Sequence, residues 1–209
     1  NPETRRYLLE EAPIEISGST SLYLSSLRRD RILPAASRPS VFVIGDPQFD
    51  ARLTFAQGLE RLPHAKSEAE RIQALYEPYA DILLGGEATV PAFLERAAQH
   101  DVVHVAGHAI VNAQRPSHSL ILLAPSLQRS GALDAQELLT GLKLDRTRLV
   151  VLSTCSSAGG LPVGAEGVAP LVRPLLPAGV PAVIGSLWDV DHATTEELMV
   201  SFHRHYEEG

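Results

Sequence analysis

Four short stretches of this chain are almost continuously apolar: Val41-Phe42-Val43-Ile44-Gly45, Val102-Val103-His104-Val105-Ala106, Arg148 to Ser153, and Val180-Pro181-Ala182-Val183-Ile184-Gly185. A strand with one wet face alternates apolar and polar residues, so β-branched runs without alternation specify strands covered on both faces. Turn formers close them, as Gly45-Asp46-Pro47 does for the first. Segments of helical pattern lie between. Ser67 and Glu70 have the spacing of a capping box, which predicts a helix from there to Tyr76. Thr89 is expected to cap a helix over Val90 to Gln99, and Asp134 to start one through Leu139. A helix is expected from about Val168 to Leu176 despite Pro170 and Pro174, and a last one over Thr194 to Glu207 with Leu198, Met199 and Phe202 on one face. Shorter strands are expected at Asp81 to Leu84 and Ser119 to Ala124.

Strands alternating with helices specify an α/β fold, a mostly parallel central sheet with helices on both faces. The Ile14 to Arg29 stretch reads only as a strand or turn leading into a helix. Residues 1–40 are therefore expected to be an N-terminal extension that packs on or leads into a domain spanning 41–209.

A chain of 209 residues can bury a self-sufficient core. Eighteen Lys and Arg against 25 Asp and Glu give a formal net charge of -7, and Arg28-Arg29-Asp30-Arg31 is the one short basic cluster, which argues against nucleic acid as a partner. No apolar run approaches the roughly 18 residues of a membrane span, and the first residues lack the apolar region of a signal peptide, so no membrane partner is expected. A single cysteine can form neither an intrachain disulfide nor a multi-cysteine zinc site, so a cytoplasmic setting is expected. The absence of an initiating Met suggests a piece of a longer protein.

In parallel sheets chemistry collects at the carboxyl ends of the strands, which singles out Asp46, His108, Cys155 and Asp189. Cys155 is either a buried structural thiol or a nucleophile; a nucleophile needs an electropositive neighbour, and an imidazole that protonates the departing amine supplies one. His108 has the equivalent strand-end place one element earlier, so the two can meet as a dyad. His104 and His108 have the spacing of a helical metal pair, but on a strand that spacing separates them, so no metal is expected and His104 should point into the core or support its neighbour. Gly85-Gly86 and Gly159-Gly160 match no phosphate-loop or dinucleotide pattern, and no cofactor is expected. Asp46, Asp189 and Asp191 could line a substrate pocket for a basic side chain, with helix capping an equal alternative for Asp191. Trp188 is either an aromatic wall of that pocket or core.

Segments 62–76, 83–94, 101–109 (DVVHVAGHA), 148–160 (RLVVLSTCSSAGG), 164–190 and 193–206 together resemble a CHAT domain, the caspase-like, separase-related module of the cysteine-peptidase clan that includes caspases and gingipains. The resemblance implies a caspase-like three-layer sandwich, a His108–Cys155 dyad, and peptide hydrolysis through a thioester with the backbone N–H groups of Cys155 and Ala109 as oxyanion donors. Ala109 stands where the clan usually has Gly, and His192 where the family more often has Asp. Members commonly sit behind helical repeats that sense a trigger. The expectation is a cysteine endopeptidase acting on a specific protein or peptide substrate in a bacterial defence or cell-death pathway, controlled by such a sensor region or an activating partner. A catalytically silent scaffold that binds protein partners is the rival, and a small-molecule enzyme ranks last for want of a cofactor fingerprint.

Overall fold

The chain runs α1 (Thr20–Ile32), β1 (Val41–Gly45), α2 (Pro63–Tyr76), β2 (Ala80–Leu84), α3 (Val90–Ala97), β3 (Val102–Ala106), β4 (Ala109–Ile110), β5 (Leu120–Leu122), β6 (Ala132–Asp134), α4 (Ala135–Gly141), β7 (Leu149–Ser153), β8 (Ala182–Gly185) and α5 (His192–Glu208). This computed structural model describes residues 5–7, 10–12, 14–33, 38–112, 114–154 and 170–208. The apolar runs pair into one sheet of order β2-β1-β3-β7-β8, each neighbouring pair parallel. The α/β class with a mostly parallel central sheet and flanking helices is as the sequence pattern predicts, and it is consistent with a caspase-like fold.

The register explains why the strands carry no polar alternation. Phe42, Val103 and Val150 are aligned across β1, β3 and β7, and so are Ile44, Val105 and Leu152; all six belong to one core with Phe93 of α3 and Leu138 of α4. The intervening positions Val41, Val102 and Leu149, then Val43 and Val151, join the opposite core with Ile72 and Tyr76 of α2 and Val200 of α5. Successive side chains on a strand point to opposite faces, and here both faces are covered.

Local chemistry accounts for the ends of the helices. Thr89 and Asp134 cap α3 and α4, their side chains accepting from Ala92 and Glu137 N–H. The α2 helix opens at Pro63, ahead of the expected capping box, because a proline's fixed φ suits the first helical position. Ser67 consequently lies inside α2, where its hydroxyl donates to Glu196 of α5 at 2.6 Å. The helix expected over Val168 to Leu176 is, from residue 170 onward, turns and a single 3₁₀ turn at Arg173–Leu175, since proline removes helical donors and clashes with the preceding turn. The run expected as a strand from Ser119 is β5, which joins β4 and β6 in a separate antiparallel sheet instead of the main one. The ambiguous stretch before Arg29 becomes α1, capped by Ser19; it buries no side chain and is tied by Arg29 to Asp145 at 3.0 Å and by Asp30 to Arg148 at 2.8 Å. Among the described residues no helix is long and apolar enough to cross a membrane.

One position on the α2/α5 face of the sheet is polar. His104, aligned with Val43 and Val151, is fully buried and points into this core as expected. Its Nε2 lies 2.8 Å from Glu68 Oε1, its Nδ1 lies 3.0 Å from His203 Nε2, and His203 Nδ1 lies 3.0 Å from the Tyr76 hydroxyl. One direction of donation, assigned from this network, satisfies every ring nitrogen: Tyr76 O–H to His203, His203 N–H to His104, and His104 N–H to Glu68. Burial, with His104 alongside, pushes the His203 imidazole far below its ordinary value, so it stays neutral. A second polar cluster binds α5 to α2: Glu196 accepts from His64, Ser67 and Arg71 within 2.8 Å. Burial would raise the Glu196 carboxyl, but these donors outweigh it and hold it at about 2.

His203 sets the sign of a pH dependence. Unfolding frees it to take up a proton below its ordinary value of 6.5, which the folded protein resists. Stability is complete above that pH and falls by roughly 1 kcal/mol for each unit below it. Urea midpoints at pH 7.5, 6.5 and 5.5 check this, with a flatter dependence expected for His203→Gln.

Candidate active site

The carboxyl ends of β1, β3 and β7 stand level, Gly45 beside Ala106 and Ala106 beside Ser153. From β1 the chain departs to β2 on one side, while β3 has β7 on its other side, so the crevice expected at a topological switch point opens between β1 and β3. Asp46 after β1 bonds the Ala106 carbonyl there, and Gly107 after β3 shares a cavity with Ser153 and Thr154.

His108 lies just past β3, and its ring is held from two directions by the β1–α2 loop. Its Nε2 is 2.7 Å from the Glu60 carbonyl oxygen, and the Phe49 ring meets it edge-on at 5.2 Å and 88°. A carbonyl only accepts, so Nε2 carries the proton and Nδ1 is left able to accept one. The His108 carbonyl accepts from Leu122 N–H at 3.0 Å, joining the site to β5. Ala109, the proposed oxyanion donor, opens β4 opposite Ile121. The non-glycine residues with positive φ among those described are Arg5 and Asp46, so Ala109 occupies its place without the left-handed backbone that would demand glycine.

Cys155 lies outside the described residues; β7 ends at Ser153, and Thr154 follows it, buried. Register pairs Ala106 with Ser153, and His108 and Cys155 each come two positions later in the sequence. A small cavity at these strand ends is lined by Gly107, Ser153 and Thr154 of the sheet side, by Leu62, Ala65 and Glu68, and by Val190, His192 and Thr195. His192, where the family more often has Asp, is thus the first residue of α5 and part of this cavity wall. Beyond Ala109 an open groove of about 660 Å³ runs past Phe55, Ile110 and Leu120.

The acidic candidates divide. Asp46 is buried and its carboxylate is engaged by Arg61, at 2.5 Å, and by Leu62 N–H, at 3.0 Å. Asp191 accepts from Thr194 N–H at 2.8 Å at the start of α5, the capping role, and that bond with the Thr194 side chain lowers its carboxyl. Asp189 is exposed on the loop between β8 and α5, as is Trp188 at 67%, so the tryptophan is not core. Sequence reasoning missed Glu60, whose contribution is a main-chain oxygen with no side-chain signature, and Arg61 and Phe49, whose importance depends on where a loop folds.

The CHAT domain family matches residues 1–209 of the chain. The protein belongs to the CHAT domain family. That family is caspase-like and related to cysteine proteases. No curated protein matches the chain. Within this CHAT domain the α2 helix lies unusually close to β1: a Cβ at Gly45 would come within 2.4 Å of the Ala69 Cβ and 2.9 Å of the Ala65 carbonyl. Helix and strand therefore cannot separate to admit a side chain without moving Leu62 and the loop that holds His108. Gly45→Ala is expected to destabilise the domain by about 1–3 kcal/mol, read from thermal unfolding of the variant against the parent.

Proposed function

We propose that this CHAT domain is a cysteine endopeptidase in which Cys155 is the nucleophile and His108 the general acid–base. The observation that carries this reading is the Glu60 carbonyl on His108 Nε2, which leaves Nδ1 as the basic nitrogen of a residue two positions past Ala106, the register partner of Ser153 at the end of β7. An imidazole oriented by a third group and holding one free nitrogen at a strand end is the arrangement that activation of a thiol requires. Membership of a protease-related family supports it independently.

In this mechanism His108 Nδ1 takes the Cys155 thiol proton as sulfur forms a bond to the scissile carbonyl carbon. The tetrahedral oxyanion is met by backbone N–H groups, those of Cys155 and Ala109 by family likeness. Collapse expels the amine, which takes the proton from His108, and leaves a thioester. Water then attacks the thioester carbon, giving its proton to His108, and the thiol is released with that proton returned. Trp188 and Asp189, exposed on the β8–α5 loop, are proposed to line the substrate approach. Family likeness further suggests a specific protein substrate in a defence or cell-death pathway, and control by a helical-repeat sensor or a binding partner.

A peptide library incubated with the wild-type chain under reducing conditions is expected to be cleaved, with cleavage abolished in Cys155→Ala and reduced about 100-fold or more in His108→Ala. An electrophile should label Cys155 in wild type and label His108→Ala much more slowly. Cleavage that survives Cys155→Ala, or labelling unchanged in His108→Ala, would overturn the assignment and favour the scaffold.

A further inference from the structure

Asp46 takes no part in the chemistry above, yet it is a buried acidic group beside it whose carboxylate is fully engaged. It follows β1 with a left-handed backbone, φ 43°, and its N–H donates to the Ala106 carbonyl of β3 at 3.0 Å. That turn directs the side chain inward, only 8% exposed, beneath the segment that precedes α2. Both carboxylate oxygens are used there. Arg61 Nε donates at 2.9 and 3.1 Å and its Nη2 at 2.5 Å, while Leu62 N–H donates at 3.0 Å. Arg61 Nη2 also reaches the Asp46 carbonyl at 3.3 Å.

These contacts fix the Arg61 side chain and the Leu62 amide, the groups that immediately follow the Glu60 carbonyl. Leu62 is further pinned by packing with Ala65 and Ala106. At its other end the same loop is pressed to β3, since a Cβ on Gly107 would come within 3.0 Å of Pro47 Cδ. The oxygen that accepts the His108 Nε2–H hydrogen bond is thereby held at both ends of one loop, and the carboxylate is the only charged group of the described residues that binds the Arg61 end.

We propose that Asp46 is a positioning residue, whose carboxylate sets the Glu60 carbonyl and through it the tautomer and orientation of His108. The proposal rests on the reading of His108 as the general acid–base. It replaces the substrate-binding role expected for Asp46 from sequence, because both oxygens of this carboxylate already have partners within the fold. An imidazole released from its acceptor exchanges protons between its nitrogens and turns its basic site away for part of the time, which lowers turnover without weakening substrate binding.

The test is the tautomer of His108 in the full chain, read by long-range proton–nitrogen correlation between about pH 5 and 9, in wild type, Asp46→Asn and Arg61→Gln. Wild type is expected to hold the Nε2–H form. Both variants are expected to mix tautomers, with kcat for peptide cleavage down about 10- to 100-fold, KM within about twofold, and a displaced acid limb of the pH–rate profile. Arg52→Ala, which breaks the exposed Arg52–Asp50 pair of the same loop, should alter neither quantity. Should Asp46→Asn fail to fold, Arg61→Gln decides, since Arg61 is 52% exposed and its loss leaves the core intact. Retention of the wild-type tautomer and pH profile in a folded variant overturns the proposal, even if its melting temperature has dropped. If the wild-type chain cleaves nothing, the tautomer measurement still decides the role of Asp46, and the peptidase reading is decided separately by electrophile labelling of Cys155 in wild type and His108→Ala.

Discussion

Main-chain pairing of β3 between β1 and β7 is the constraint from which the rest of the molecule follows. Every residue of β3 is buried, and hydrogen bonds to parallel neighbours on both edges leave it no freedom to slip. A shift by one residue would exchange its two faces, sending His104 into the apolar core and Val103 or Val105 toward Glu68 and His203. The register also brings the ends of three strands to one level, and the described residues that follow β1 and β3, with Ser153 and Thr154 at the end of β7, form walls of the candidate site.

A polar residue at the centre of such a strand is expensive unless all its hydrogen-bonding groups find partners. His104 finds them on both helices of its layer, Glu68 on α2 and His203 on α5, and Tyr76 completes the series. A hydrophobic contact would allow the helices to slide over the sheet, whereas ring nitrogens impose direction as well as distance. The Glu196 cluster repeats the device nearer the N-terminal end of α5, with His64, Ser67 and Arg71 converging on one carboxylate. The α2 helix is thus fixed against both the sheet and α5, and its first turn carries the loop that grips His108.

The parts of this architecture legible in the sequence were those governed by neighbours in the chain. The continuous apolar runs marked the buried parallel strands, and Thr89 and Asp134 marked helix starts because a cap bonds an amide only a few residues away. Ser67 carried the same local signal and was misleading, since Pro63 had already begun the helix and the hydroxyl turned to Glu196 across the layer. The same limit governs the site. His108 could be picked out by its place after a strand, and capping was already legible for Asp191 because Thr194 lies only three residues on, but nothing local to Asp46 points to Arg61, which meets it from fifteen residues away. Trp188 read from the sequence as core or as an aromatic pocket wall, and the loop between β8 and α5 leaves it exposed instead of in the core.

By itself the sequence determined the α/β class, the order of the principal elements, the membership of a protease-related family and the strand-end position of His108, because periodicity, capping and motif spacing are properties of nearby residues. Tertiary structure alone decided which oxygen accepts the His108 N–H, which carboxylate holds that oxygen in place, and how a buried histidine on β3 is satisfied from two helices. Those partners come from segments far apart in the chain, such as His104 and His203, and a hydrogen bond depends on their distance and angle in space, which no local pattern encodes.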